Sequence, residues 1–183
     1  MRLITVLLLG ASSCGLPPAS ELEVPQGVVQ VANPSERTCD SISFASASAV
    51  SSGYFTPAFD SPFTSVTLNR GSDFLGVELW YFGANANPTM PMSVMLWATT
   101  RARCDVCVVL KRGCDANGAS CTRSFLANGG SVSFEAASRE ASTGRIAGSA
   151  SIIRLVEWDF SADQERSGGG CVELSDVSFD ASW

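Results

Sequence analysis

The stretch 104-CDVCVVLKRGCDANGASC-121 carries four of the chain's seven cysteines. What their sulfurs are bonded to bounds both the compartment and the fold. The spacing is C-x2-C-x6-C-x6-C. A structural zinc site is signalled by paired C-x2-C knuckles, and only the first pair has that spacing; the chain has no histidine to complete a ligand set. A thioredoxin-like redox centre would set C-x-x-C at a helix N-terminus within a βαβ unit, whereas here the motif runs into the strand-like segment 108-VVLK-111. Disulfides are the remaining reading, provided that the chain leaves the reducing cytosol.

The N-terminus points to such an exit. In 1-MRLITVLLLGASSCG-15, Arg2 supplies a positive start, Leu3 to Leu9 an apolar run and Gly10 to Ser13 small residues. The run is too short for a ~30 Å hydrocarbon core, so residues 1–13 are expected to be a signal peptide. Ala11-Ser12-Ser13-Cys14 has the order of a bacterial lipobox, with Cys14 as the lipidated first residue of the mature protein. Ala11 stands where a lipobox usually has Leu, which leaves cleavage by the ordinary signal peptidase open. Acyl chains on Cys14 would hold the protein to a membrane without a spanning helix. Gly15, not Asp, follows the cysteine, which favours the outer membrane over inner-membrane retention; a periplasmic or extracellular location goes with the ordinary cleavage. Residues 14–27, with three prolines in 15-GLPPASELEVPQG-27, are expected to form an extended tether, and 28–183 a single domain.

Without Cys14 the mature body holds Cys39, Cys104, Cys107, Cys114, Cys121 and Cys171, an even number compatible with three disulfides. Between Cys114 and Cys121 lies 115-DANGAS-120, whose Asp, Asn and Gly suit a turn. Its flanks are strand-like, and a hairpin brings such ends to about 5 Å, within disulfide reach. Cys114–Cys121 is therefore the first pairing expected. Cys39 and Cys171 each open a strand and could meet Cys104 or Cys107. Two long-range bridges are favoured over a local Cys104–Cys107 ring, because closing a long loop stabilises more, typically ~2–4 kcal/mol.

Composition agrees with a β-rich domain. Of 183 residues 45% are hydrophobic and 16% charged, with a net charge of −6. Lys111 is the one lysine and the arginines are dispersed, so no basic cluster exists to neutralise nucleic-acid phosphates. The missing histidine excludes Ser-His-Asp and Cys-His catalysis. Period-2 segments recur at 28–32, 40–49, 64–70, 74–82, 92–100, 106–112, 121–127, 130–138, 145–160 and 171–182. In the clearest, 74-FLGVELWYF-82, Leu75, Val77, Leu79 and Tyr81 form an apolar face, opposite Phe74, Gly76, Glu78, Trp80 and Phe82. In 92-MSVMLWATT-100, Val94, Leu96 and Ala98 oppose Met95 and Trp97. The fragments 41-SISFAS-46, 131-SVSFEA-136 and 177-VSFDAS-182 each set a phenylalanine among small polar residues, as core-facing knobs. A sustained 3.6-residue period is missing; 135-EAASREAST-143 could form one helical turn. The fold expected is all-β, an antiparallel β-sandwich or flattened barrel of about 8–10 strands stapled by disulfides.

Other chemistry-bearing patterns have plainer readings. The fragment 115-DANG-118 begins like a calcium loop but lacks its later ligands, and reads as a turn. In 157-EWDF-160, Glu157 and Asp159 would share a face and could serve a glycoside hydrolase; the preferred reading is a solvated face opposite Val156, Trp158 and Phe160 in the core. Trp80, Trp97, Trp158 and Trp183 could stack sugars if exposed, but large aromatics more often fill sandwich interiors, with Trp183 the least obviously buried. The run 167-SGGGC-171 reads as a turn rather than a phosphate loop.

The cysteine run leading to 121-CTRSFLANGGSVSFEA-136, then 144-GRIAGSASIIRLVEWDF-160 and 168-GGGCVELSDVSF-179, resembles a group of small cysteine-containing secreted or lipid-anchored proteins of predatory and myxobacteria-like bacteria. The resemblance implies fold and address and carries no catalytic residue. No cofactor or metal is expected. The expected role is that of an exported, lipid-anchored envelope protein that binds or supports without catalysis, its partner an envelope protein or a carbohydrate. The alternatives are a carbohydrate-binding or adhesive module and a carboxylate-dependent hydrolase.

Overall fold

The computed structural model describes residues 38–44, 52–57, 62–97, 100–116 and 118–183. The expected signal peptide, tether and Cys14, and the strand expected at 28–32, lie outside these residues. The described residues form eleven strands: β1 (Asp40–Ile42), β2 (Ser52–Thr56), β3 (Phe63–Arg70), β4 (Asp73–Trp80), β5 (Met92–Met95), β6 (Val106–Cys114), β7 (Cys121–Ala137), β8 (Arg145–Asp159), β9 (Gln164–Glu165), β10 (Cys171–Leu174) and β11 (Val177–Ser182). Helical structure among them is confined to the 3₁₀ turns Gly83–Asn85 and Arg101–Arg103. The all-β expectation holds. The helical turn considered for 135–143 does not form there; β7 continues through Ala137 and the chain then turns into β8.

Strand order is β1-β10-β8-β7-β6-β4-β3-β2, with β11 and β9 added to β8 and β5 to β7. The path ends at β1 and β2 and does not close, which removes the barrel alternative. One pair is parallel, β1 with β10, against the wholly antiparallel expectation. The sheet becomes two layers because β7 and β8 are long and each serves both. The first part of β7 pairs β6 and the second part of β8, whereas its second part pairs β5 and the first part of β8. Between these halves the register shifts at Ala127/Gly129 and Gly129/Ser131. There Gly130 has φ 103° and Ile152, opposite it, φ 54°. Bulges of this kind let strands cross from one layer to the next at a corner. The sequence expectation of separate strands at 121–127 and 130–138 is corrected accordingly: Gly129 and Gly130 bend one strand instead of ending it.

Alternation places the core. Val66 and Leu68 of β3, Leu75, Val77 and Leu79 of β4, and Val108 and Leu110 of β6 all point inward and are buried. From the smaller layer come Val132, Phe134, Ile146, Ala150 and Phe179. The three expected phenylalanine knobs, Phe44, Phe134 and Phe179, are all buried, and Phe134 meets Phe179 edge-on at 5.8 Å. Tyr81, also core-facing as expected, hydrogen-bonds Thr64 Oγ1 at 2.7 Å, and Thr64 donates to Ser138 O at 2.7 Å. This buried chain links β3 to the turn after β7 and satisfies the polar groups that enter the core.

All six described cysteines are bridged: Cys39–Cys171, Cys104–Cys107 and Cys114–Cys121. Cys114 and Cys121 are register partners at the end of the β6–β7 hairpin. The preference for two long-range bridges is corrected. Parallel pairing of β1 with β10 brings Cys39 to Cys171, and the 3₁₀ turn at Arg101–Arg103 folds Cys104 back beside Cys107. Loop length ranks the stabilisation a bridge supplies, but strand order decides which sulfurs meet.

Candidate ligand-binding face

The outer face of the larger layer is built from the side chains that alternation turns away from the core. Across β3, β4 and β6 the registers align Ser65 with Glu78 and Cys107, Thr67 with Gly76 and Val109, and Asn69 with Phe74 and Lys111. On one flank β2 adds Ser52 beside Thr67 and Tyr54 beside Ser65; on the other, β7 sets Ser124 beside Lys111. Two hollows open on this face. One, of about 450 Å³, is lined by Glu78, Arg101, Val109, Lys111, Ser124 and Phe160 among others. The second, of about 380 Å³, is lined by Tyr54, Ser65, Thr67, Gly76, Glu78 and Lys111 among others. Glu78, Val109 and Lys111 border both, so the two adjoin and together make a trough across the strands, with these three side chains at their junction.

Its floor is low at Gly76. A Cβ there would find only the Val109 carbonyl oxygen, at 3.8 Å, and the φ is not left-handed. The fold therefore does not require glycine at this position. Strand glycine costs conformational entropy and packs nothing, and commonly marks the close approach of a ligand or a backbone.

A polar cluster stiffens the middle of the trough. Glu78 Oε2 accepts from Trp80 Nε1 at 2.9 Å and from the Arg101 guanidinium. Arg101 also donates to Cys107 Sγ at 2.9 Å and lies over the Trp80 ring at 5.2 Å. Phe63 stacks on Trp80 with centroids 4.3 Å apart. Trp80, half-buried, is thus held by Phe63 and in turn positions Arg101. The Cys104–Cys107 bridge beneath holds the 3₁₀ turn that carries Arg101. Lys111 is exposed, and no salt bridge to it forms among the described residues.

The other expected site residues fall elsewhere. Trp158 is buried, and Trp183 fits over Gly53 and Gly144, where added Cβ atoms would come within 2.8 and 2.4 Å of its ring. Trp97 is 76% exposed and Phe160 38%, which corrects the reading that placed them in the core. Trp97 lies two residues beyond the end of β5, whose last residue, Met95, is also exposed. The solvated face expected for Glu157 is likewise corrected. Glu157 is 6% exposed and accepts from Arg123 at 2.7 Å, Arg166 at 3.1 Å and Gly170 N at 3.0 Å. The Arg123 hydrogen bond, above all, lowers its pKa to about 2. Asp159 caps the following turn through Ser161 and Ala162. The fragment at Asp115 is a turn closed by Gly118 N on Asp115 O at 3.0 Å, with Ala119 N on its carboxylate. The glycines of 167-SGGGC-171 admit the network around Glu157: a Cβ on Gly170 would meet Arg123, and one on Gly169 would meet Glu157.

Sequence reasoning singled out neither the trough nor Tyr54, since β2 carries no clean alternation. A glycine at the centre of the clearest strand was the available signal. No family model, curated protein or solved structure matches the chain.

Proposed function

We propose that this is an exported, lipid-anchored envelope protein whose role is non-catalytic binding through the outer face of its larger layer. The observation that carries this reading is the trough over Gly76, rimmed by Glu78, Lys111 and the half-exposed rings of Tyr54 and Phe160 on a sheet held by three disulfides. Bridged sulfurs are the state that an oxidising compartment maintains, which supports export. Glu78 is the one carboxylate among the described residues lining these two hollows. Carboxylate-dependent glycoside hydrolysis uses two, and the Glu157–Asp159 pair considered for it is engaged in an ion-pair network and a turn. Rigid walls around a shallow, mixed polar and aromatic hollow suit binding in place.

Two measurements test the proposal. Intact mass of the native protein should show acyl groups on Cys14 and a gain of six hydrogens on reduction, two for each bridge. A fully reduced native protein would remove the export argument. Amide shifts on adding solubilised envelope material should cluster at Gly76, Glu78, Val109 and Lys111. Shifts confined to other surfaces, or turnover of the added material, would overturn the non-catalytic binding reading.

A further inference from the structure

Resting on that reading, the geometry points to the chemical class of the ligand: we propose that the trough binds an oligosaccharide carrying carboxylate groups, such as a chain of uronic acids.

Shape argues for an extended chain. The trough runs obliquely across β2, β3, β4, β6 and β7, from Tyr54 to Ser124, four inter-strand steps or about 19 Å measured across the strands. Four of these strands, β3, β4, β6 and β7, are paired on both sides, and β2 ends the strand path. A peptide added as a strand would lie alongside β2, parallel to the strands, and not across them as the trough runs. A pyranose chain needs no backbone partner.

Surface chemistry argues for a sugar. Tyr54 is 45% exposed at one end and Phe160 38% at the other, each offering an apolar ring to the C–H face of a sugar. Between them stand the hydroxyls of Ser52, Ser65, Thr67 and Ser124 and the carboxylate of Glu78. Hydroxyl groups of a ligand both donate and accept, and this lining both accepts and donates. Gly76 lets a ring come down onto the sheet between Thr67 and Val109.

Charge argues for an acidic sugar. Arg101 is matched by Glu78, and among the described residues Lys111, which borders both hollows, forms no salt bridge, on a chain of net charge −6. A single ammonium suits one carboxylate at a time. A phosphate group would call for the arginine cluster or bidentate fork that such ligands recruit.

The test is titration of the full disulfide-bonded chain with two series of oligosaccharides of equal length. The acidic series comprises galacturonate, mannuronate–guluronate and hyaluronan fragments; the neutral series comprises cello-, manno- and chito-oligosaccharides. At least one acidic series should bind about tenfold tighter than every neutral one at low ionic strength, with the preference shrinking as salt rises. Gly76→Val has room for its Cβ and suits a strand, so it should fold with an unchanged melting temperature, fill the floor and weaken binding about tenfold or more. Lys111→Gln should bring acidic and neutral affinities together. Neutral chains that bind as tightly as acidic ones, with loss in Gly76→Val, would overturn the acidic-sugar assignment while leaving the binding face intact. No saccharide binding, or binding indifferent to both substitutions, would overturn the assignment outright. The binding-face reading fails separately, if envelope material shifts residues outside the trough.

Discussion

At the scale of single residues, Glu157 shows how a strand position that reads as polar surface becomes interior. Leu155, Val156 and Trp158 beside it are all buried, so the strand is covered on both faces here, and Arg123, Arg166 and Gly170 close over its carboxylate. Charge-assisted hydrogen bonds to the ionised form hold its pKa near 2 against an ordinary 4.5. Because the folded value is depressed, this stabilisation is complete above about pH 4.5 and is lost as the pH falls toward 2. Arg123 and Arg166 are 39% and 60% exposed, so water screens the pair and the contribution is about 1–2 kcal/mol. Denaturant unfolding between pH 2 and pH 6 should show a decline in stability that is flatter in Glu157→Gln. Parallel pH profiles would mean that the network contributes nothing net. The partners of Glu157 come from β7 and from the turn before β10, so no local pattern around residue 157 could have announced them.

At the scale of elements, β7 and β8 owe their double membership to one strained corner. Gly130 at φ 103° admits no side chain, since a Cβ would lie 2.5 Å from the Ile152 carbonyl oxygen. Gly130→Ala should therefore cost about 2–3 kcal/mol. Ile152 adopts φ 54° although it is β-branched, and its side chain is 83% exposed, so little packing repays the conformation. Ile152→Asn should raise stability by about 1 kcal/mol, because Asn tolerates the left-handed region. Urea unfolding of the two variants reads both effects, and a destabilised Ile152→Asn would show that the exposed side chain has a contact elsewhere. Strand identity here was legible from alternation in 121–127 and 130–138. Continuity through 129-GG-130 was not, because glycine pairs mark bulges and chain reversals alike.

At the scale of the whole molecule, the three bridges differ in what they constrain. Cys39–Cys171 spans a sequence separation of 132 and Cys104–Cys107 one of 3. By chain entropy alone, replacing both members of the first pair with Ala should cost about 4–5 kcal/mol, and of the second about 2 kcal/mol. Equal losses measured by thermal unfolding would assign the stabilisation to local packing instead. The sequence by itself determined the all-β character, the inward set Leu75, Val77, Leu79 and Tyr81, the three phenylalanine knobs and the turn between Cys114 and Cys121. Each of these depends on a period of two or on a few adjacent residues. Tertiary structure decided the parallel pairing of β1 with β10, the remaining bridges, the burial of Glu157 and the trough over Gly76. These depend on which strands become neighbours, and strand order is set by the collective burial of both layers, which no stretch of chain encodes alone.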